Sequence, residues 1–267
     1  MFELRHHGTT AVIVCSKLEN LGFINGFSTR LGGVSPLPEA ALNLGHFGGD
    51  THENVDENRR RFLTVLNAGT YPLHTLKQVH SALVHQAHPQ DVTGPKREGD
   101  ALVGQEAGKL VGVLTADCLP VLIVDPTTQA YTAIHAGWRG TLQRITEQAI
   151  QTLSETFGTV PADCHVALGP CATVAQYEVG DELVDQFREV FHQAADTFFQ
   201  RPAGSRKAHL DVQAANLYQL ATAGIPRDQI YISEYCTMQR NDWFFSYRCE
   251  KETGQVGRLL SVVGRKL

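Results

Sequence analysis

The chain has 267 residues, 42% of them hydrophobic and 19% charged, and carries a formal net charge of −5. That balance is ordinary for a globular protein with a sizeable core, and without a Lys/Arg-rich tract it argues against a nucleic-acid partner. The N-terminal apolar run Ala11 to Cys15 is too short for a signal h-region, and no later segment reaches the roughly 20 apolar residues of a membrane span, so no membrane association is expected and the expected location is the cytoplasm. The six cysteines (Cys15, Cys118, Cys164, Cys171, Cys236, Cys249) form no CxxC pair and are read as free thiols.

In chain order, 11–15 and 23–28 read as short strands. From Thr29 to Thr51 the chain is rich in Gly, Pro, Asn and Ser without a sustained period, the pattern of a long functional or disordered loop. Residues 53–66 read as a helix, with Val55, Phe62, Leu63 and Leu66 near one face and Asn67 and Gly69 to stop it. Val111–Thr115, Val121–Asp125 and Tyr131–His135 are apolar runs broken by turn signals such as Asp125-Pro126-Thr127. A helix is predicted from about Leu142, with Leu142, Ile145, Ala149, Leu153 and Phe157 in helical spacing and Gly158 as its C′ residue. A strand at Cys164–Leu168, helices at 181–199 and 211–223, and strands at 229–233, 242–247 and 257–263 complete the pattern. Strands and helices interleave without strict alternation, which favours an α+β fold with mixed sheets over a doubly wound one. No repeat or linker divides the chain, so one domain over residues 1–267 is expected.

Three segments place His or Cys where an apolar strand meets a turn: Gln78-Val79-His80, Thr115 to Pro120, and His135 to Gly140. His80, Cys118 and His135 are 38 and 17 residues apart. These spacings are too wide for a zinc finger and suit a catalytic site assembled from separate elements. Two imidazoles and a thiolate make a three-donor set for Zn²⁺ with a fourth position open for water or substrate. A metal-free alternative uses the same residues: Cys118 as nucleophile, His80 or His135 as its base, and Asp117 nearby. Both readings need a deprotonated sulfur, so the sequence leaves both open.

A second constellation is cationic. Arg30, Arg59, Arg139 and Arg248 carry guanidinium forks that match phosphate geometry. Gly32-Gly33 and Gly48-Gly49 offer backbone amides to an anion. The run Trp243-Phe244-Phe245 reads as core, Cys171 as packed in a turn, and Tyr177 to Gly180 as a pocket wall or a strand-to-helix turn.

The segments Gly26 to Ser35, Leu42-Asn43-Leu44-Gly45, Gln78-Val79-His80, Thr115 to Pro120, His135 to Gly140, Gly169-Pro170-Cys171, Tyr177 to Gly180 and Phe245-Ser246-Tyr247-Arg248 recur in order. Together they resemble the peptidoglycan editing factor family, also called the laccase-like multicopper polyphenol oxidase family, or purine nucleoside phosphorylases of the laccase-domain type. The resemblance covers about residues 20–263. It implies a layered α/β/β/α-type domain with mixed sheets and outer helices. It also implies a metal held by His80, Cys118 and His135, zinc in most accounts and copper in oxidase accounts. The implied activities are phosphorolysis of adenosine, inosine and 5′-methylthioadenosine and deamination of adenosine. Purine nucleosides and phosphate would then be the partners. Arg248, Arg59 and Arg30 would be candidates for phosphate, and Asn43 for ribose or base. A hydrolase editing misbuilt UDP-muramyl peptidoglycan precursors is the alternative. Copper-dependent phenol oxidation ranks below both, because a multicopper oxidase needs many paired His ligands and the twelve here form no HxH pair. The chain departs from the family pattern after Arg248, where a second arginine gives way to Cys249 and Val256-Gly257-Arg258 takes the place of a TGR segment.

Overall fold

A computed structural model describes residues 1–37, 39–46, 49–202, 204 and 206–267. Two six-stranded sheets carry it. The first runs in the order Phe2–His7, Thr10–Cys15, Phe23–Ser28, Leu259–Arg265, Leu110–Thr115, Leu73–His74. The second runs Ile230–Ile232, His165–Leu168, Leu119–Val124, Tyr131–Ala136, Ala101–Gly104, Val84–Gln86. Most neighbours are antiparallel, with parallel pairs towards the edges, so both sheets are mixed.

The two sheets pack face to face. Ile13, Phe23, Phe27, Val111, Val113 and Val263 of the first meet Leu122, Val124, Tyr131, Ala133 and Ala167 of the second. Successive strand residues point to opposite faces, so the residues between these line the outer sides. Val12, Val14, Leu260 and Val262 pack against helix His52–Val65 through Phe62 and Leu63. On the other side Val121, Ile123, Ile134 and Val166 pack against helices Ile145–Phe157 and Val212–Thr222. The layering is helix, sheet, sheet, helix, as expected. Each large apolar side chain fully removed from water in this stack contributes about 1.5–3 kcal/mol. Among the described residues, no helix is long and apolar enough to cross a membrane.

A smaller apolar cluster braces the region beyond His135. Helix Asp181–Phe191 ends where His192 takes φ 52°, and a 3₁₀ turn follows over His192–Thr197. The helix expected over 181–199 is therefore broken. The turn brings Phe198 edge-on to Phe187 and Phe191, at ring-centroid distances of 6.4 and 5.4 Å. Trp138 and Leu142 pack against this cluster. The helix expected from about Leu142 begins at Ile145 and runs to Phe157, and a separate short helix, Trp138–Leu142, precedes it, parted from it where Arg144 adopts φ 62°. Gly158 closes the second piece at φ 73°, as its position predicted.

Residues 242–247 do not form the expected strand. The segment turns, with the Trp243 and Phe244 amides both donating to the Arg240 carbonyl, and a short helix spans Tyr247–Glu250. Phe244 and Phe245 are buried together in the inter-sheet core rather than alternating across a sheet.

The described parts of the long Gly/Asn-rich segment are tied together by a polar network. Asn58, on the helix, accepts from the Val34 amide and donates to Ser35 Oγ and to the Asn43 carbonyl. Asp50 accepts from Ser35, Asn43, Asn54 and the Thr51 amide. Leu31–Ser35 is a short strand bridged to Ala41. Gly32 and Gly33 serve this packing. A Cβ on Gly33 would lie 2.0 Å from the Ala41 carbonyl oxygen, and one on Gly32 would lie 2.2 Å from that of Thr9. The Gly33 amide is used within the fold, donating to the Ala40 carbonyl. Gly48 lies outside the described residues.

Asn58→Ala leaves several buried groups without partners, and each such loss costs roughly 1–3 kcal/mol. Chemical unfolding should place the variant at least that far below the parent. A second expectation concerns acid. Burial opposes ionisation of Asp91, but Arg97, 2.6 Å away, and the His88 amide outweigh it and hold the carboxyl below its ordinary value. The folded-state value lies below the unfolded one, so the contribution is complete above about pH 4 and disappears as pH falls through the folded value. Asp91→Asn should therefore cost about 1.5–3 kcal/mol at pH 7. Unfolding curves of parent and variant should converge as the pH is lowered below that window.

Candidate metal centre

The chain passes from the first sheet to the second through three residues, Ala116, Asp117 and Cys118, between strands Leu110–Thr115 and Leu119–Val124. In so tight a crossover Asp117 takes φ 84°. His135 is the penultimate residue of strand Tyr131–Ala136, paired across from Pro120, two residues after Cys118. His80 follows the isolated bridge Lys77↔Glu98 and sits in a turn at φ 59°. These three routes converge. Cys118 Sγ lies 3.9 Å from His80 Nε2, the two imidazole rings meet edge-on with centroids 4.8 Å apart, and the three donor atoms all fall within 4.8 Å of one another. His135 is buried and Cys118 half-buried, while the His80 side opens to solvent.

Asp100 stands behind this group. Its side chain is fully buried, and one oxygen pairs with His135 Nδ1 at 2.8 Å while accepting from the His80 amide at 3.0 Å. The other oxygen accepts from the Val79 and Ser81 amides and from Ser81 Oγ. Burial resists ionisation of Asp100, yet His135 and the Ser81 donors hold its carboxyl down at about 2. Burial would also push the Cys118 thiol up and the His135 imidazole down. Attraction between thiolate and imidazolium, with Asp100 behind the ring, reverses both, so that Cys118 titrates below the ordinary thiol range and His135 above the ordinary imidazole range.

This arrangement suits a metal ion. Zn–S and Zn–N bonds of about 2.3 and 2.0 Å put tetrahedral S and N donors roughly 3.5 Å apart, close to the Cys118–His80 separation. Asp100 occupies His135 Nδ1, which leaves Nε2 to face Cys118. The donors are borderline-soft, the sulfur is already biased to thiolate, and three protein ligands leave a position open.

The arginines divide. Arg248 lies over the Tyr177 ring at 5.2 Å, donates to the Glu178 carbonyl, and lines a pocket with Trp138, Tyr177 and Gln186. Tyr177 is raised by burial and by the neighbouring Cys118 charge, which places this wall beside the centre. Arg30 is instead an internal strut. It is paired with Glu250 at 2.9 Å, donates to the Asn241 and Leu37 carbonyls, and stacks on Phe245. Arg59 donates to the Leu44 carbonyl and sits near His46 and Lys96, with no contact to the His–Cys–His group. Asn43 is fully buried, and its amide is used within the fold, by Gly45, Asp50 and the Arg258 amide. Asp117 also points away from Cys118, accepting from Thr237 Oγ1 and the Arg248 amide at 2.7 Å each. It anchors the Arg248 turn and is not the third member of a nucleophile's relay.

Two neighbours of the centre escaped the sequence reading. Asp100 carried one weak signal, a carboxylate at the mouth of the apolar run Ala101–Gly104. Arg258 was read only as part of a family segment. Burial lowers its pKa, and the charges of Cys118, Tyr247 and Asp117 act against that.

An α/β protein with a two-sheet core and an open His–Cys–His donor set at the sheet crossover is the class these observations define. The chain belongs to the multi-copper polyphenol oxidoreductase laccase family, whose model matches residues 24–266. It is similar to a purine nucleoside phosphorylase of Deinococcus radiodurans, at 36% identity over 245 residues that cover 92% of this chain and 90% of the relative. It is also similar to the purine nucleoside phosphorylase YfiH of Escherichia coli, at 34% identity over 239 residues, 88% of this chain and 92% of that one. The crystal structure of YlmD from Geobacillus stearothermophilus superposes with a TM-score of 0.89 at 30% identity, covering 100% of both chains.

Gly137 gives a direct test of the geometry. A Cβ there would lie 3.0 Å from both Cys118 Sγ and His80 Cδ2. Gly137→Ala should push the donors apart, and any divalent ion that the parent binds there should be held about tenfold or more weaker, equivalent to at least 1.4 kcal/mol, in a chelator competition. The unfolding midpoint of the metal-free protein should move little.

Proposed function

We propose that this protein is a zinc-dependent purine nucleoside phosphorylase that also deaminates adenosine. The observation that carries the reading is the convergence of His80, Cys118 and His135 within 4.8 Å, in a chain whose relatives are named purine nucleoside phosphorylases. The three residues would hold the ion, and when bound it supplies Lewis acidity at one open position. Three donors would serve one ion, which favours this chemistry over a multicopper oxidase with its many histidines.

The remaining work falls to the chain. In phosphorolysis a phosphate oxygen forms a bond to ribose C1′ as the C1′–N9 bond breaks and its electron pair leaves with the base. Positive charge develops on the sugar, so catalysis rests on holding the dianion and sugar in line. Arg248 is suited to hold phosphate, because its fork stands at the pocket wall and only one of its nitrogens is spent on the Glu178 carbonyl. Trp138 and Tyr177 give the same pocket aromatic surface for a purine or ribose face. In this reading one domain over residues 1–267 acts in the cytoplasm on small nucleosides and phosphate.

Cys118→Ala should lose bound zinc, by elemental analysis, and most activity; a fully loaded variant would refute the ligand assignment. Inosine cleavage by the parent should require phosphate and yield ribose 1-phosphate, whereas equal release of free ribose without phosphate would mean hydrolysis. A charge-assisted contact is worth about 1.5–3 kcal/mol. Arg248→Ala should therefore raise KM for phosphate roughly ten- to hundredfold. Adenosine deamination, which needs no phosphate, should be largely retained in that variant.

A further inference from the structure

We propose that Asp100 is the positioning residue of the metal centre, setting both histidines at once: the ring of His135 through Nδ1 and the main chain of His80 through three consecutive amides. The inference rests on reading His80, Cys118 and His135 as the ligands and adds what makes them a preformed set.

Asp100 immediately precedes strand Ala101–Gly104, which pairs with the His135 strand, and its own carbonyl accepts from the His135 amide at 2.8 Å. Main chain and side chain therefore grip the same residue. A carboxylate oxygen only accepts, so its partner Nδ1 must carry the proton and Nε2 must present a lone pair. On the other side Val79, His80 and Ser81 all point their amides at the carboxylate, at 3.2, 3.0 and 2.7 Å. Three amides converging on one anion form a tight turn, and the turn holds His80 at φ 59°, which a non-glycine residue adopts only at a cost. Ser81 Oγ adds a bond at 2.8 Å. Asp100 thus counts five donors, four of them from the Val79–Ser81 turn and one from His135. Its side chain touches no open space, so it acts through the histidines and not on substrate.

The variants divide the role. Asp100→Ala removes both grips. Asp100→Asn keeps the size but brings an NH₂ donor among groups that all donate. Ser81→Ala removes the Oγ bond to Asp100, together with the bond that Oγ accepts from the Leu83 amide, and leaves the three amides and the His135 contact to Asp100. The measurements are zinc affinity of the full chain, by competition with a chelator, and the ¹⁵N shifts of the His135 ring in the zinc-loaded parent. We expect protonated Nδ1 and metal-bound Nε2 in the parent. Both Asp100 variants should bind zinc about 10- to 100-fold more weakly, in line with the loss of such supporting partners elsewhere. Ser81→Ala should stay within about threefold. Asp100 variants that fold and bind zinc within twofold of the parent overturn the proposal, as does a parent ring with its proton on Nε2. If neither variant folds, the parent's ring tautomer decides alone. A parent that binds zinc no better than Cys118→Ala overturns the ligand reading itself, and this proposal with it.

Discussion

The face-to-face packing of the two sheets sets every other feature. Because Leu110–Thr115 belongs to one sheet and Leu119–Val124 to the other, the chain must cross the inter-sheet gap in three residues. Apolar anchors on both sides hold the crossing in place: Val113 and Leu122 in the shared core, Leu119 and Val121 on the far face. Cys118 has no freedom to drift, since moving it would drag two buried strands. His135 is fixed by its pairing with Pro120 in the same sheet. Only His80 comes from irregular chain, and it is the one whose backbone is clamped by amides donating to a buried carboxylate.

How legible this was depends on how each element is buried. Thr10–Cys15, Leu119–Val124 and Tyr131–Ala136 are buried on both faces and stand out as continuous apolar runs. Phe2–His7 escaped because it is an edge strand of mostly exposed residues, and its sequence FELRHH shows neither period. Two- and three-residue strands such as Leu73–His74 are defined by their partners alone. The strand expected over 242–247 failed for the opposite reason. Its aromatic run is apolar enough for a strand, but a turn buries Phe244 and Phe245 equally well. The three donors were legible because His and Cys at strand ends are few. Their convergence was not, because it depends on sheet order that no local pattern encodes.

The arginines show where residue type misleads. A guanidinium fork fits two carbonyl oxygens or a carboxylate as well as it fits phosphate. Arg30 uses its fork inside the protein, tying the Leu37 and Asn241 loops to Glu250. Asn43 makes the same point for amides, since both ends are consumed within the fold. What separates Arg248 is its place, on the wall of a pocket that it shares with Tyr177. Asp117 couples that place to the centre. It accepts from the Arg248 amide one residue away from Cys118, so the arginine turn and the thiolate are held in register.

Strain and charge concentrate at this spot together. His80, itself a donor, and Asp117, next to Cys118, are both non-glycine residues at positive φ. Each is held by a hydrogen-bonded carboxylate, Asp100 beneath His80 and Asp117's own side chain on Thr237 and Arg248. The protein can afford such backbone because the apolar stack lies directly underneath. Mutual attraction between Cys118 and His135, with Asp100 behind the ring, lowers the pKa of the thiol and raises that of the imidazole. A divalent ion bound there would displace a proton from His135 Nε2 and leave the Nδ1 proton with Asp100. The same polarity, a thiol biased towards its anion facing an imidazole backed by a carboxylate, is the one that would receive a cation.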